Sequence, residues 1–423
     1  MTVAVRIKDL DDPTFDPFTT LNQVQGFVDV IDPYPTIHAL HLKGTVLKGD
    51  MRREFGLQPF PFWADYPSWM VFGYDTVAQV FSDPDSFSST IWQDFFLDCF
   101  GESITAMDAP EHPRYRRLFQ KAFLPQTVAS WGKTLVPRII NELIDGFATR
   151  GHAELVSEFT GVYPFKVVYD QLHLPARDRA VFHKLAIALV CIMVDPPHAG
   201  EAFRKLGEYF SGLIHERRQA IESGTLTAGD DLISLLAIAE VDGERLPDQI
   251  TVSFLRQLMT AAGDNTYRSS SVLLAGLLSN PEQLEAVRRD RTLIPQAIEE
   301  ALRWDGPITF GTRLTTRDVV LDGVKIPARS KLDVVQSSAS RDPARYENPD
   351  DFNIFRKIER HAAFGNGPHV CIGQHLARLE MSSALNGLLD RLPNLRPDPA
   401  KPAPQVVGLS GRAPAAIHVL FDA

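Results

Sequence analysis

A mainly α-helical fold with a small β-rich part is what this sequence predicts, and three features predict it. Apolar residues recur at helical spacing over residues 139–148, 202–222 and 250–278. After Trp304 the pattern changes to short strand-like runs at 313–316, 319–321 and 324–326, the last two joined by an Asp322-Gly323 turn. No stretch is long or biased enough to be an interdomain linker, and no internal repeat is visible. Residues 1–423 therefore read as one domain.

Taken in order, prolines crowd the first 130 residues, and residues 69–72 and 331–335 read as a further strand pair. Loops are expected at 195–200, 222–231 and 396–404. The longest apolar run, 185–194, is about half the roughly 20 residues a membrane helix needs. It reads as core helix, with the roof of a pocket as the alternative. Pro295 opens a short helix that carries Glu300 and Arg303 at i, i+3. A last helix follows Gly373, its core side marked by Leu376, Leu379, Leu385, Leu389 and Leu392.

Composition narrows the function. With 43 Lys and Arg against 53 Asp and Glu, the net charge of −10 argues against a nucleic-acid partner, which needs an excess of cations. Hydrophobic residues at 44% and charged residues at 23% exclude global disorder. Three cysteines, Cys99, Cys191 and Cys371, are too few for a disulfide framework and point to a reducing compartment. Residues 1–12 lack the apolar core of a signal peptide. The expectation is a cytoplasmic protein with no membrane span.

The most informative stretch is Phe364-Gly365-Asn366-Gly367-Pro368-His369-Val370-Cys371-Ile372-Gly373. Two glycines and a proline precede Cys371 and a glycine follows, a composition for a tight turn in which backbone N–H groups approach the sulfur. The positive end of the next helix favours thiolate over thiol. A lone thiolate held by amide donors is suited to ligating one iron. Other readings compete: a buried core cysteine, or a zinc site with His361, His369 and His375, whose spacing fits no familiar finger. A phosphate cradle fails because Val370 stands where a third glycine is needed.

This stretch resembles the heme-binding loop of the cytochrome P450 family, Phe-Gly-x-Gly-x-His-x-Cys-x-Gly, at every fixed position. The resemblance implies heme b as cofactor, Cys371 as iron ligand, and Phe364 and Gly373 beside it. It places the heme between a long oxygen-binding helix and the cysteine-loop helix. Further segments agree in family order. Glu300-x-x-Arg303 resembles the family's E-x-x-R motif, with Arg356 as its third partner in a structural cluster. In the segment from Asp108 to Lys121, His112 and Arg116 share a helix face, and Arg114, Arg117 and Lys121 lie on roughly the opposite one. By resemblance His112 and Arg116 contact the heme propionates, with Arg313 and His361. The opposite face is either an ordinary solvated basic face or a dock for an acidic electron carrier.

Ala261-Ala262-Gly263-Asp264-Asn265-Thr266-Tyr267 puts small and polar residues in the middle of the long helix, where a kink or an oxygen-binding groove is expected. It resembles the family's Ala-Gly-x-(Asp/Glu)-Thr motif, which makes Thr266 and Asn265 the catalytic candidates. It departs from that motif in carrying Asn265 where an acid stands, and Asp264, one residue early, should point about 100° away. The resemblance also assembles a substrate pocket from Ile91, Trp92, Phe95, Phe96, Leu258, Ala261, Ala262, Ile308, Thr309, Leu409 and Ser410. Most are apolar, so a hydrophobic small molecule is expected. The implied activity is a monooxygenase that activates O2 with two electrons from a ferredoxin-type donor and its reductase. A peroxide-driven peroxygenase, or a non-enzymatic heme or zinc protein, is the alternative.

Overall fold

The computed structural model describes residues 6–27, 29–229, 231–357 and 359–423. Helices make up most of it, and the longest, Asp248–Ser279, runs through the middle of the molecule. Its apolar residues fall into both large core clusters: Leu255 and Met259 into one, Leu273 and Leu277 into the other. A helix buried nearly all round in this way needs no narrow apolar stripe.

The β-rich part is a five-stranded sheet in the order Val46–Lys48, Ser68–Val71, Lys331–Val334, Gly311–Thr315, Phe87–Ser88. The expected pairing of the segments near 69 and 331 is present and parallel, with Leu332 opposite Trp69. The hairpin Val319–Leu321 with Val324–Ile326 turns on Asp322 and Gly323, both at positive φ, as an Asp-Gly dipeptide allows.

Two local expectations are corrected. Residues 195–200 open the helix Pro196–Glu222 instead of forming a loop: Asp195 caps it by accepting from the His198 N–H at 3.2 Å, and Pro196 takes the first turn, where no N–H is needed. Nor is the long helix interrupted at 261–267. Ser269, Ser270 and Ser271 each donate to the carbonyl four residues earlier, at 2.8, 2.8 and 2.9 Å, so the hydroxyls share acceptors with the helix without displacing its ladder. Among the described residues, no helix is long and apolar enough to cross a membrane. Of the run 185–194, Val190 reaches the central cavity, while Leu185 through Leu189 are buried core.

Glu300, Arg303 and Arg356 meet in one buried network. Arg303 holds both Glu300 oxygens, at 2.7 and 2.8 Å, and donates to the carbonyls of Ser340, Pro349 and Asp351. Arg356 Nε reaches Glu300 at 3.4 Å. The Asn353 N–H completes the carboxylate's shell at 2.8 Å. This network ties the Ile294–Asp305 helix to the irregular chain leading to the cysteine loop. Arg303→Ala leaves the buried Glu300 carboxylate with only its weaker partners. It should therefore cost about 3–5 kcal/mol, read as a lower denaturant midpoint in equilibrium unfolding.

Candidate active site

The cysteine loop is folded by its own backbone. Cys371 N–H donates to the Phe364 carbonyl at 2.9 Å, and Gly365 N–H to Ala362 at 2.8 Å. Gly365 and Gly367 hold φ of +72° and +66°. A Cβ at Gly367 would lie 2.2 Å from the Phe81 carbonyl oxygen, whereas one at Gly365 would meet open space. Gly373, at φ −87°, is the cap of the helix Gln374–Arg391. Cys371 is open to a cavity on one side and enclosed by protein on the others. Burial pushes its thiol up; the N–H groups of Gly373 and Gln374 and the guanidiniums of Arg116 and Arg378 pull it back. The helix end thus does not by itself make a thiolate, because desolvation outweighs it. A cation at the sulfur would tip the balance.

The cavity holds about 500 Å³. Cys371, Ile372 and Leu376 line it from the loop side, Ala262 and Thr266 from the long helix, and Trp92, Phe95 and Phe96 from the segment before the basic helix Glu111–Ala122. A larger polar groove of about 770 Å³ lies elsewhere, between Asn280, Arg345 and Lys357, but offers no cysteine.

Cationic groups gather at one side of the cavity. Arg313 is buried on the strand Gly311–Thr315, with no carboxylate at ion-pair distance among the described residues. Its Nη1 donates only to the neighbouring Thr312 carbonyl at 2.9 Å, and burial lowers its pKa to about 10. His112 is buried against His369, ring centroids 3.9 Å apart, with its Nε2 lacking any partner. Burial lowers these imidazoles to about 4 and about 3 respectively. An uncompensated buried cation and an orphaned imidazole nitrogen both ask for an anion. With the sulfur and the apolar walls, the donor set fits a flat hydrophobic group that carries a metal and carboxylates.

The remaining candidates divide. Phe364, Gly373, Asn265, Leu258, Ala261 and Ile308 line the cavity. Arg116 turns instead to the Val370 carbonyl, beside the cysteine. His361 is engaged on both nitrogens, Nε2 with Glu299 at 3.1 Å and Nδ1 with the Ala363 N–H at 3.2 Å, and stays out of the cavity wall. Thr309 is fully buried and, unlike its neighbour Ile308, does not line the cavity. Leu409 is buried too, packed against the Gly26 turn through which the chain hydrogen-bonds Gln25. Neither it, Ile91 nor Ser410 reaches the cavity.

Sequence reasoning offered His369 only as a zinc ligand, although it is a fixed position of the loop, and missed Phe100, Thr105 and Gln257. Gln257 lies one residue before Leu258, yet its side chain bonds Thr105 Oγ1 at 2.9 Å and Ser103 Oγ at 2.7 Å, placing an amide in the wall. Asp264 points away, as the helix geometry required. It pairs at 2.9 Å with the fully buried Arg268, which also donates to the Gly411 carbonyl. Thr266 is buried at the cavity edge, and no hydrogen bond engages its hydroxyl among the described residues.

Residues 194–406 match the family model described as Cytochrome P450. The cytochrome P450 monooxygenase PikC of Streptomyces venezuelae is 34% identical over 87% of this chain and 85% of its own length. The cyclomarin C epoxidase CymV of Salinispora arenicola is 31% identical over 76% and 83%. Among solved structures, cytochrome P450 CYP109Q5 from Chondromyces apiculatus superposes with a TM-score of 0.79 at 30% identity, covering 92% of this chain and 95% of that one.

The loop geometry separates two glycines that look alike in sequence. Gly365→Ala should cost only the left-handed backbone strain, about 1–2 kcal/mol. Gly367→Ala adds a collision with the Phe81 carbonyl and should cost clearly more, both measured by chemical denaturation.

Proposed function

Because this chain belongs to the cytochrome P450 family of heme-dependent monooxygenases, we propose that it oxidises a neutral, largely apolar organic molecule, drawing two electrons from a ferredoxin-type donor and its reductase. The single observation that carries this reading is the cavity that joins the open side of Cys371 to Thr266 and an aromatic wall.

Cys371 would ligate the iron, and Arg313, His112 and His369 would meet the propionates. Heme, when bound, supplies reduction of O2 and transfer of one of its oxygen atoms to a C–H bond or a double bond. The chain's own residues set the conditions. Thr266 offers a hydroxyl free to donate to or accept from oxygen or water at the cavity edge. Asn265 bonds weakly to the Ala261 carbonyl at 3.4 Å and can orient water but cannot release a proton.

On the substrate side, Trp92 is stacked on Phe96, centroids 5.3 Å apart, and packed edge-on against Trp63 at 4.6 Å. Its indole N–H is fixed to the Thr312 carbonyl at 3.0 Å. A rigid aromatic wall of this kind excludes water and favours flat or ring-bearing substrates. Thr105 and Gln257 are neutral polar handles in the same wall. The related epoxidase named for cyclomarin C supports a secondary metabolite as substrate class.

For the electron carrier, the basic helix offers less than its sequence promised. Arg114 is paired with Asp242 at 3.4 Å and Glu244 at 3.3 Å, so its charge is spent within the chain. Arg117 and Lys121 stay exposed and would meet an acidic partner.

The test is turnover under labelled O2, with candidates first chosen by the spin-state change they cause on binding. With a ferredoxin and its reductase, one labelled oxygen atom should enter each product molecule. Product formed from hydrogen peroxide alone, with none from the electron-transfer system, would contradict the proposal in favour of a peroxygenase.

A further inference from the structure

One chain of hydrogen bonds in the cavity wall has a direction. Thr105 N–H donates to Ser103 Oγ at 3.2 Å, and Ser103 Oγ donates in turn to Gln257 Oε1 at 2.7 Å. The amide oxygen of Gln257 is thereby held toward the buried Ser103, and its nitrogen toward Thr105, whose Oγ1 accepts from Nε2 at 2.9 Å. Ser103 has a single hydroxyl proton, so turning the amide over would strand it. The chain ends on the Thr105 hydroxyl proton, which no acceptor takes among the described residues.

Thr105 and Gln257 both line the cavity. Other neutral polar groups of its wall already donate to backbone: Thr260 to the Ala186 carbonyl at 2.9 Å, Ser269 to Asn265 at 2.8 Å, and Gln336 to Ala362 at 2.8 Å. The segment that carries Thr105 is also fixed. Arg256 donates to the Phe100 carbonyl at 3.1 Å and the Phe203 carbonyl at 2.7 Å. This ties the end of the wall helix Gln93–Cys99 to the long helix and to the helix Pro196–Glu222. At Gly101, with φ +98°, a Cβ would lie 2.4 Å from Ser253 Oγ, so the turn sits directly on the long helix. A donor held in this way is oriented before any ligand arrives.

We propose that Thr105 is the specificity-determining hydrogen-bond donor of the cavity, with Gln257 as its positioning residue, and that the substrate presents to it a neutral carbonyl oxygen, as in a ketone, ester, lactone or amide. This names a substrate class for the monooxygenase reading above and rests on it. A carbonyl accepts without bringing a proton of its own. An alcohol can also accept, but must then bury its own proton against a largely apolar wall.

The test titrates the heme-loaded protein with tetralin, α-tetralol and α-tetralone, which share one ring frame and differ in the oxygen, and reads binding by calorimetry. α-Tetralone should bind about ten-fold tighter than tetralin, because a buried donor left unpaired is costly, with α-tetralol between them. In isotope-edited infrared spectra the ketone C=O band should move to lower wavenumber on binding. Thr105→Val removes the hydroxyl at nearly constant volume. It should abolish the preference and the band shift while tetralin still binds, and Thr105→Ser should retain both. Gln257→Glu, ionised at about pH 8, offers Thr105 an acceptor, turns its proton away and should place the alcohol above the ketone. The red-shifted carbon monoxide spectrum should persist in every variant, and its absence from the wild type would count against the monooxygenase reading alone. α-Tetralone binding no tighter than tetralin, or a preference and band shift that survive Thr105→Val, would overturn the proposal. A ketone preference that survives Gln257→Glu would remove the positioning role of Gln257. Should a variant fail to fold, the wild-type ranking and band position still decide.

Discussion

A sulfur in the wall of an apolar cavity, where burial opposes its ionisation, is the constraint on which the rest of this structure depends. Burial raises the Cys371 thiol against two backbone N–H groups and two guanidiniums. The protein spends its amide donors on steadying the sulfur, and leaves the last of the charge balance to a metal. That arrangement needs a loop whose backbone reaches inward, which Gly365 and Gly367 permit through left-handed φ. It also needs a rigid mount, and the helix Gln374–Arg391 and the Glu300–Arg303–Arg356 network supply it from either side.

The same logic explains the buried guanidinium and the two neutral imidazoles beside it. Among the described residues no carboxylate lies at ion-pair distance from Arg313 or from the His112–His369 pair, and only the more distant charge of Asp108 acts on Arg313 and His112. A bare buried guanidinium is expensive, and in the proposed function the heme carboxylates would offset that cost. Elsewhere the fold pays for buried charge internally, as where Lys331 lies 2.6 Å from Asp50 and 2.8 Å from Asp333. The contrast between such self-paired clusters and the guanidinium of Arg313 with its neighbouring imidazoles distinguishes scaffold from site.

Much of this was legible in the sequence because it is local. The loop's glycines, the i, i+3 pair Glu300 and Arg303, and the 100° offset of Asp264 follow from spacing alone, and each is present in the fold. What was not legible depends on non-local competition. His361 sits at the expected place in the chain, yet Glu299, 62 residues earlier on the helix Ile294–Asp305, holds its Nε2. Leu409 is claimed by the N-terminal turn, and Arg114 by the hairpin that carries Asp242 and Glu244. Glu380, buried on the helix Gln374–Arg391, gave no signal at all, since a glutamate in a helix reads as solvent-facing until the neighbouring helices are in place.

The proposed function depends on ligation of a heme iron by Cys371. Its most direct test is the absorption spectrum of the purified protein, reduced and exposed to carbon monoxide, beside that of Cys371→Ser. Thiolate ligation predicts a Soret band shifted far to the red in the native protein and absent from the variant. A colourless protein, or a heme spectrum that lacks this shift, would contradict it.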